Sequence, residues 1–417
     1  LVLEEFLPEV ADAISDITAR PMVLEALALL GKPAVPTMAG LLTRRDLSLP
    51  TRRSIVTALA SIEGSAARDS LIALAEEPAL GPAAMNSLLR MRVAGRIDPI
   101  DPATLQGTME EEMAKGLRFS LAASGLRSMA GDNPEAIFVA RELESLRARS
   151  LHRVLRVLSL SYDTRRLSPV ATALLSKDIA RVSNALELLE GSISQDTAAL
   201  VMPFMEAAAE NFPEWRTIEL VPDAITILQN PGETLTNEKD WWPRSLGLHV
   251  LGRDDEISTP GRHKNKADDA QEDEAMIPLI EKVMILKGSE LFRNFPGPDL
   301  AGIASLAQVV YLEPDEVLFN QGEEGDAFYM VVQGGVRITR GSTELAILGT
   351  REGFGEMAIL DQETRSATAT AAEATTLLRI GQDSFDQLIE QNPTVARGIY
   401  RVLTERLRNT LAQVAAG

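Results

Sequence analysis

The sequence predicts an α+β multidomain chain, an N-terminal α-helical repeat solenoid followed by an antiparallel β-barrel or jelly roll with flanking helices. Three observations carry this reading. Residues 1–252 keep helical apolar spacing, residues 253–275 are charged and almost free of apolar side chains, and residues 276–417 turn to short β-rich runs between glycine turns. Composition agrees: of 417 residues 45% are apolar but only 4% aromatic. The apolar share is mostly Ala, Leu, Val and Ile, which favours helices packed by small residues.

The helical part repeats itself. Val23, Ala26, Leu27, Leu29 and Leu30 lead to Gly31 and Pro33, then Val35, Met38, Leu41 and Leu42. Shifted by 33 positions, the theme returns as Val56, Leu59, Ala60, Ile62, Gly64, Leu71, Ile72 and Leu74. A helix closed by glycine and followed by a second helix is one helical-repeat unit. The theme recurs at residues 185–191, leading into Leu200, Val201, Phe204 and Met205, and more weakly at residues 244–252. Residues 76–150 read as degenerate copies. The pattern resembles the HEAT-repeat family, whose stacks present extended surfaces to partners; the plain alternative is an irregular helical domain.

Residues 253–275 cannot bury enough apolar surface to order themselves and read as a linker. After it, residues 276–286 form a short amphipathic helix. Short β-rich runs follow at 309–312, 317–319, 327–332, 336–339, 345–348, 367–371 and 375–380, with turn chemistry between them. Helices at 383–390 and from Pro393 to about Val414 close the chain, the last carrying an apolar stripe through Val395, Ile399, Val402, Leu403, Leu407, Leu411 and Val414.

Lys+Arg number 41 against 60 Asp+Glu, a formal net charge of −19, which makes nucleic acid a poor partner. The absence of cysteine excludes disulfides and thiolate chemistry, and three scattered histidines leave little for a metal site or imidazole catalysis. No cofactor, metal or catalytic constellation is expected, and the chain reads as not an enzyme. No apolar run reaches the ~18 residues that span a bilayer, and no signal peptide opens the chain, so the expected location is cytoplasmic. The chain starts at Leu1 and directly in an amphipathic pattern, which fits a piece of something longer or a removed tag.

The chemistry lies in Phe354-Gly355-Glu356-Met357-Ala358 and, after a short loop, Arg365-Ser366-Ala367. Gly355 lets the backbone approach a ligand or take positive φ. Residues 357–360 can form one helical turn whose free N–H groups face an anion. Arg365 supplies a charged fork for a phosphate, and Glu356 an acceptor-only carboxylate for sugar hydroxyls. An ordinary ion pair on a strand edge is the bland alternative. Gly353-Phe354-Gly355-Glu356-Met357-Ala358 also satisfies the loose dinucleotide pattern, but hairpin-spaced strands on both sides exclude the βαβ unit it needs.

The stretch resembles the phosphate-binding cassette of the cyclic nucleotide-binding domain family: Phe-Gly-Glu, an apolar turn, a variable loop, then Arg-Ser-Ala. Gly322 through Val331 and Gly334 through Ile338 match that family's strand and turn pattern, Leu291-Phe292 its entrance, and the closing helix its lid. The resemblance covers about residues 276–414. It implies that Glu356 holds the ribose 2′-hydroxyl and Arg365 the cyclic phosphate. Backbone amides around Gly355, Met357 and Ala358, with Ser366 and the neighbouring Ala367, complete the cradle. Serine after the arginine also occurs in bacterial catabolite activators, and counting from Asn392-Pro393, Thr410 falls where their lid helix touches adenine. Cyclic AMP is therefore the favoured ligand, with cyclic GMP the alternative. The activators' helix-turn-helix does not follow the lid, so their DNA-binding function is not carried over.

Helical repeats, an acidic linker and a nucleotide-sensing domain together resemble the cytoplasmic tail of bacterial transporters related to the ATP/ADP translocases. Residues 185–190 and 281–287 carry that similarity. It implies a membrane transporter domain preceding Leu1 and a place at the inner face of the cell membrane. The expected function is a ligand-gated regulatory module; the alternative is an interaction scaffold whose barrel binds no nucleotide. The stripe on the closing helix can also serve a contact between two copies of the chain, as a homodimer.

Overall fold

The structure is a computed structural model. It describes residues 7–258, 277–355 and 364–382, apart from positions 17, 45, 76, 78, 175, 177, 290, 291 and 294, together with residue 404. The chain divides into two compact units, Leu1–Val250 and Leu251–Gly417.

The first unit is helical throughout its described residues. Arg20–Leu30 ends on Gly31 at φ +66° and ψ −137°, a positive φ that favours glycine but is not the left-handed helical cap the sequence theme suggests, and the Gly31 N–H donates to the Ala28 carbonyl. Leu49–Leu59 starts on Ser48, whose hydroxyl accepts the Thr51 N–H. The stripe residues Leu27, Val35, Met38, Leu41, Leu42, Val56, Leu59, Ile62 and Leu71 enter one buried core, which continues through Leu88, Met91, Leu189, Val201, Phe204 and Met205. Leu29 and Leu30 depart from that reading, since they are 82% and 50% exposed.

A uniform repeat does not run through these helices. Residues 76–150, expected as degenerate copies, hold Gly81–Val93, then Gln106–Ala130 and the start of Pro134–Ser161, the last two being helices of 25 and 28 residues that pack along each other. Asn133 caps the second of them by accepting the Glu135 and Ala136 N–H groups. Elsewhere in the unit helices are as short as the six residues of Ala224–Gln229. No single helix among the described residues is long and apolar enough to cross a membrane.

In the second unit the expected linker opens with an ordered turn, Asp254–Glu256, closed by an Arg253–Glu256 ion pair at 2.6 Å. Residues 259–275 of that linker lie outside the described residues, as do Met276 and, apart from Thr404, the closing helices. Leu279–Lys287 is the lead-in helix, and a second helix, Gly297–Ala304, follows that the sequence reading does not anticipate.

Eight strands follow among the described residues: β1 Gln308–Leu312, β2 Val317–Phe319, β3 Ala327–Gln333, β4 Val336–Arg340, β5 Thr343–Leu348, β6 Gly353–Phe354, β7 Thr368–Ala371 and β8 Thr375–Gly381. They form two four-stranded sheets, ordered β1-β8-β3-β6 and β2-β7-β4-β5, with every pairing antiparallel. This corrects the barrel reading, because two separate sheets are the jelly-roll solution and the barrel does not close. Strands as short as β2 and β6, with three and two residues, sit at sheet edges and offer too few ladder bonds to join the sheets. Leu312, Ala327, Tyr329, Val331, Val336, Phe354, Ala369, Ala371 and Leu377 form the core between them. β6 pairs antiparallel with β3, which removes the dinucleotide reading of Gly353.

Candidate functional site

The candidate site gathers where β6 ends and β7 begins. After Phe354 the backbone turns at Gly355 with φ +80°. A Cβ placed there would lie 2.6 Å from Arg365 Nη1 and 3.0 Å from the Ala327 carbonyl oxygen, so conformation and space both require glycine.

Arg365 arrives from the other side on a pinned main chain. Its N–H donates to the Glu323 carbonyl at 2.7 Å, and its own carbonyl accepts the Gly322 N–H at 2.8 Å. Glu324 and Thr364 form an isolated antiparallel bridge beside them. The Glu323 carboxylate accepts from both the backbone and side-chain nitrogens of Asn320. These bonds, with the nearby Arg365 charge adding to them, hold it below the usual carboxylate range.

The Arg365 side chain is buried, with 4% exposure. Its guanidinium carbon stands 4.1 Å from the centroid of the Phe319 ring and 5.6 Å from that of Tyr329. Tyr329 in turn stacks on Phe354 at 5.5 Å, so β2, β3 and β6 together build an aromatic shelf beneath one cation. Nη1 reaches the Gly355 carbonyl at 3.5 Å, and Nη2 lies 3.7 Å from Asp326 Oδ1. Asp326 is engaged more closely by Arg379, at 2.6 Å. Nε of Arg365 has no hydrogen-bond partner among the described residues. Burial draws the guanidinium below its ordinary pKa, against the opposing attraction of Asp326.

The structure thus brings together two of the residues singled out in the sequence, Gly355 and Arg365. Ala367 is buried next to them, whereas Ser366 is exposed and its carbonyl accepts from Arg340 Nε at 3.3 Å. Glu356, Met357, Ala358 and Thr410 lie outside the described residues. Sequence reasoning missed Phe319, Tyr329, Asp326 and Arg379. A usable signal existed: in a chain with 4% aromatics, Phe319, Phe328, Tyr329 and Phe354 fall within 36 residues of one another.

Residues 309–392 match the family model described as the cyclic nucleotide-binding domain. The C-terminal unit carries a cyclic nucleotide-binding domain. The domain is similar to that of the cyclic AMP receptor protein of Thermus thermophilus, 38% identical over 128 residues, which are 30% of this chain and 59% of that protein. It is also similar to a cGMP-dependent protein kinase of Eimeria tenella, 34% identical over 87 residues, 21% of this chain and 9% of the kinase. A solved Thermus thermophilus catabolite activator protein is 33% identical with a TM-score of 0.28, covering 30% of this chain and 62% of that one. The chain therefore spans less than two thirds of the length of each of these relatives.

Proposed function

We propose that the chain is a cyclic nucleotide-responsive regulatory module, without catalytic activity of its own, that takes cyclic AMP in preference to cyclic GMP. The observation that carries the reading is Arg365: a buried guanidinium laid on Phe319, beside a backbone kept bare at Gly355, with Nε unpartnered among the described residues. A buried donor without an acceptor costs about 1–3 kcal/mol, and a cyclic phosphate would remove that cost through charge-assisted bonds. In this reading Glu356 takes the ribose 2′-hydroxyl, and backbone amides at Met357 and Ala358 complete the phosphate cradle. The preference for cyclic AMP rests on Ser366 and Thr410 as the family resemblance reads them, and on similarity to a cyclic AMP receptor protein.

The helical unit, with its HEAT-like opening, would carry the signal to a partner, and resemblance to transporter tails favours a membrane protein at the cytoplasmic face. Coupling then requires the nucleotide to favour one arrangement through differential affinity. Calorimetric titration of the full chain with cyclic AMP and with cyclic GMP tests the reading. Heat with both, and a lower Kd for cyclic AMP, is expected. No heat with either at millimolar concentration rejects a sensing role, and a lower Kd for cyclic GMP rejects the stated preference.

A further inference from the structure

The helical unit holds a second feature that nucleotide sensing does not use. A groove of about 1220 Å³ runs between the end of Gly81–Val93, the end of Pro134–Ser161 and the first turns of Thr164–Leu174 and Ile179–Glu190. Arg92, Arg165 and Arg181 line it. A smaller depression of about 530 Å³ adjoins it through the shared Val93 and adds Arg90 and Arg156. Five arginines thus line these two adjoining depressions in a chain of net charge −19, and among their described lining residues the carboxylate is Asp163, 3.5 Å from Arg165. Among the described residues Arg90, Arg92, Arg156 and Arg181 make no ion pair; Arg90 Nη2 donates to Ser87 Oγ at 2.9 Å and Arg156 Nη1 to Asn86 Oδ1 at 3.1 Å, whereas Arg92 Nε is buried without a hydrogen bond.

Helix stability does not account for this arrangement. Cations near a helix C-terminus complement the macrodipole, which explains Arg90 and Arg92. Arg165 and Arg181 instead occupy first turns, where a cation opposes the dipole, and Arg165 is 93% exposed. Helix stability therefore leaves Arg165 and Arg181 unexplained, and both line the same groove.

We propose that this trough docks an acidic polypeptide segment of a partner protein. The arginine forks suit carboxylates. Val93, 72% exposed at the junction, together with Leu89, Pro99 and Pro169, offers apolar contact between them. The cations are spread over four helices, which fits an extended chain better than a single small anion. A long nucleic-acid backbone is repelled by the overall charge.

The test uses the full chain and a short, end-capped, fluorescent peptide repeating Glu-Glu-Leu, with anisotropy as the readout. The peptide is expected to bind, and to bind more weakly as ionic strength rises. Arg165→Glu with Arg181→Glu should weaken it roughly tenfold or more. Arg44→Glu with Arg68→Glu, a reversal at two arginines paired to Asp46 and Asp69 elsewhere on the unit, should leave it within about twofold. Circular dichroism melting checks that each variant remains folded. Absent peptide binding overturns the proposal. So does an equal loss in both double variants, or tighter binding of poly-uridine RNA or ATP that the Arg165/Arg181 reversal abolishes.

Discussion

Each unit lays an arginine over a phenylalanine, and the two differ in what completes them. In the helical unit the Arg147 guanidinium stands 4.8 Å from the Phe212 centroid, and its Nη2 donates to Asn211 Oδ1 at 2.9 Å. In the sheet unit Arg365 stands 4.1 Å from the Phe319 centroid, more deeply buried, with Nε left open among the described residues. Burial lowers the pKa of both. The same local device is a structural contact where a neighbour accepts at 2.9 Å, and a candidate receptor where the guanidinium keeps only long contacts to Gly355 and Asp326 and Nε has no acceptor among the described residues.

Removing each arginine in turn separates the two cases most strongly. Arg365→Ala should cost about 2–5 kcal/mol of cyclic nucleotide binding, roughly 30- to several thousandfold in Kd. Arg147→Ala should change Kd by no more than about twofold. Equal affinity in the parent protein and Arg365→Ala, by calorimetry, would remove the site from this place.

Next comes the ligand itself. At about a hundred times Kd it should stabilise the C-terminal unit by about 2.7 kcal/mol, seen as a shift of one unfolding transition by calorimetric scanning. The shift should survive Arg147→Ala and vanish in Arg365→Ala. Its persistence in the latter would mean that binding occurs elsewhere.

Gly355→Ala should destabilise the C-terminal unit by about 1–2 kcal/mol, because φ +80° is costly for any L side chain. The new Cβ also displaces the Arg365 guanidinium, so affinity should fall with stability. Urea unfolding and titration measure the two separately, and unchanged affinity would show that Arg365 does not need its present position. The smallest effect belongs to the rings. Phe319→Leu and Phe212→Leu should each cost roughly 0.5–2 kcal/mol of their own unit's stability. Only Phe319→Leu should weaken nucleotide binding, since an arginine without its shelf must be ordered by the ligand.

Much of the sheet unit was legible in the sequence. The runs at 317–319 and 375–380 alternate or cluster apolar residues between glycine turns, and they match β2 and β8 within a residue. Arg365 and Gly355 were found because their motif is contiguous. The shelf was not, because Phe319, Tyr329 and Phe354 sit on three strands and meet only through the sheet packing. The long hairpin of the helical unit was missed for a different reason. Gln106–Ala130 buries Met109, Met113, Leu117, Phe119, Leu121, Ala122, Ala123 and Leu126, which are spread around its circumference, so no apolar stripe stands out. Leu29 and Leu30 show the converse, a stripe in the sequence that the fold leaves in solvent.

The two main-chain bonds that hold Arg365 to Gly322 and Glu323 bear on entropy. An arginine free to move gives up about 1.5–2 kcal/mol of side-chain freedom when a partner fixes it. Arg365 has already given that up in the fold, since its backbone is pinned and its side chain is 4% exposed on Phe319. An anion that meets this guanidinium has little but its own motion left to lose.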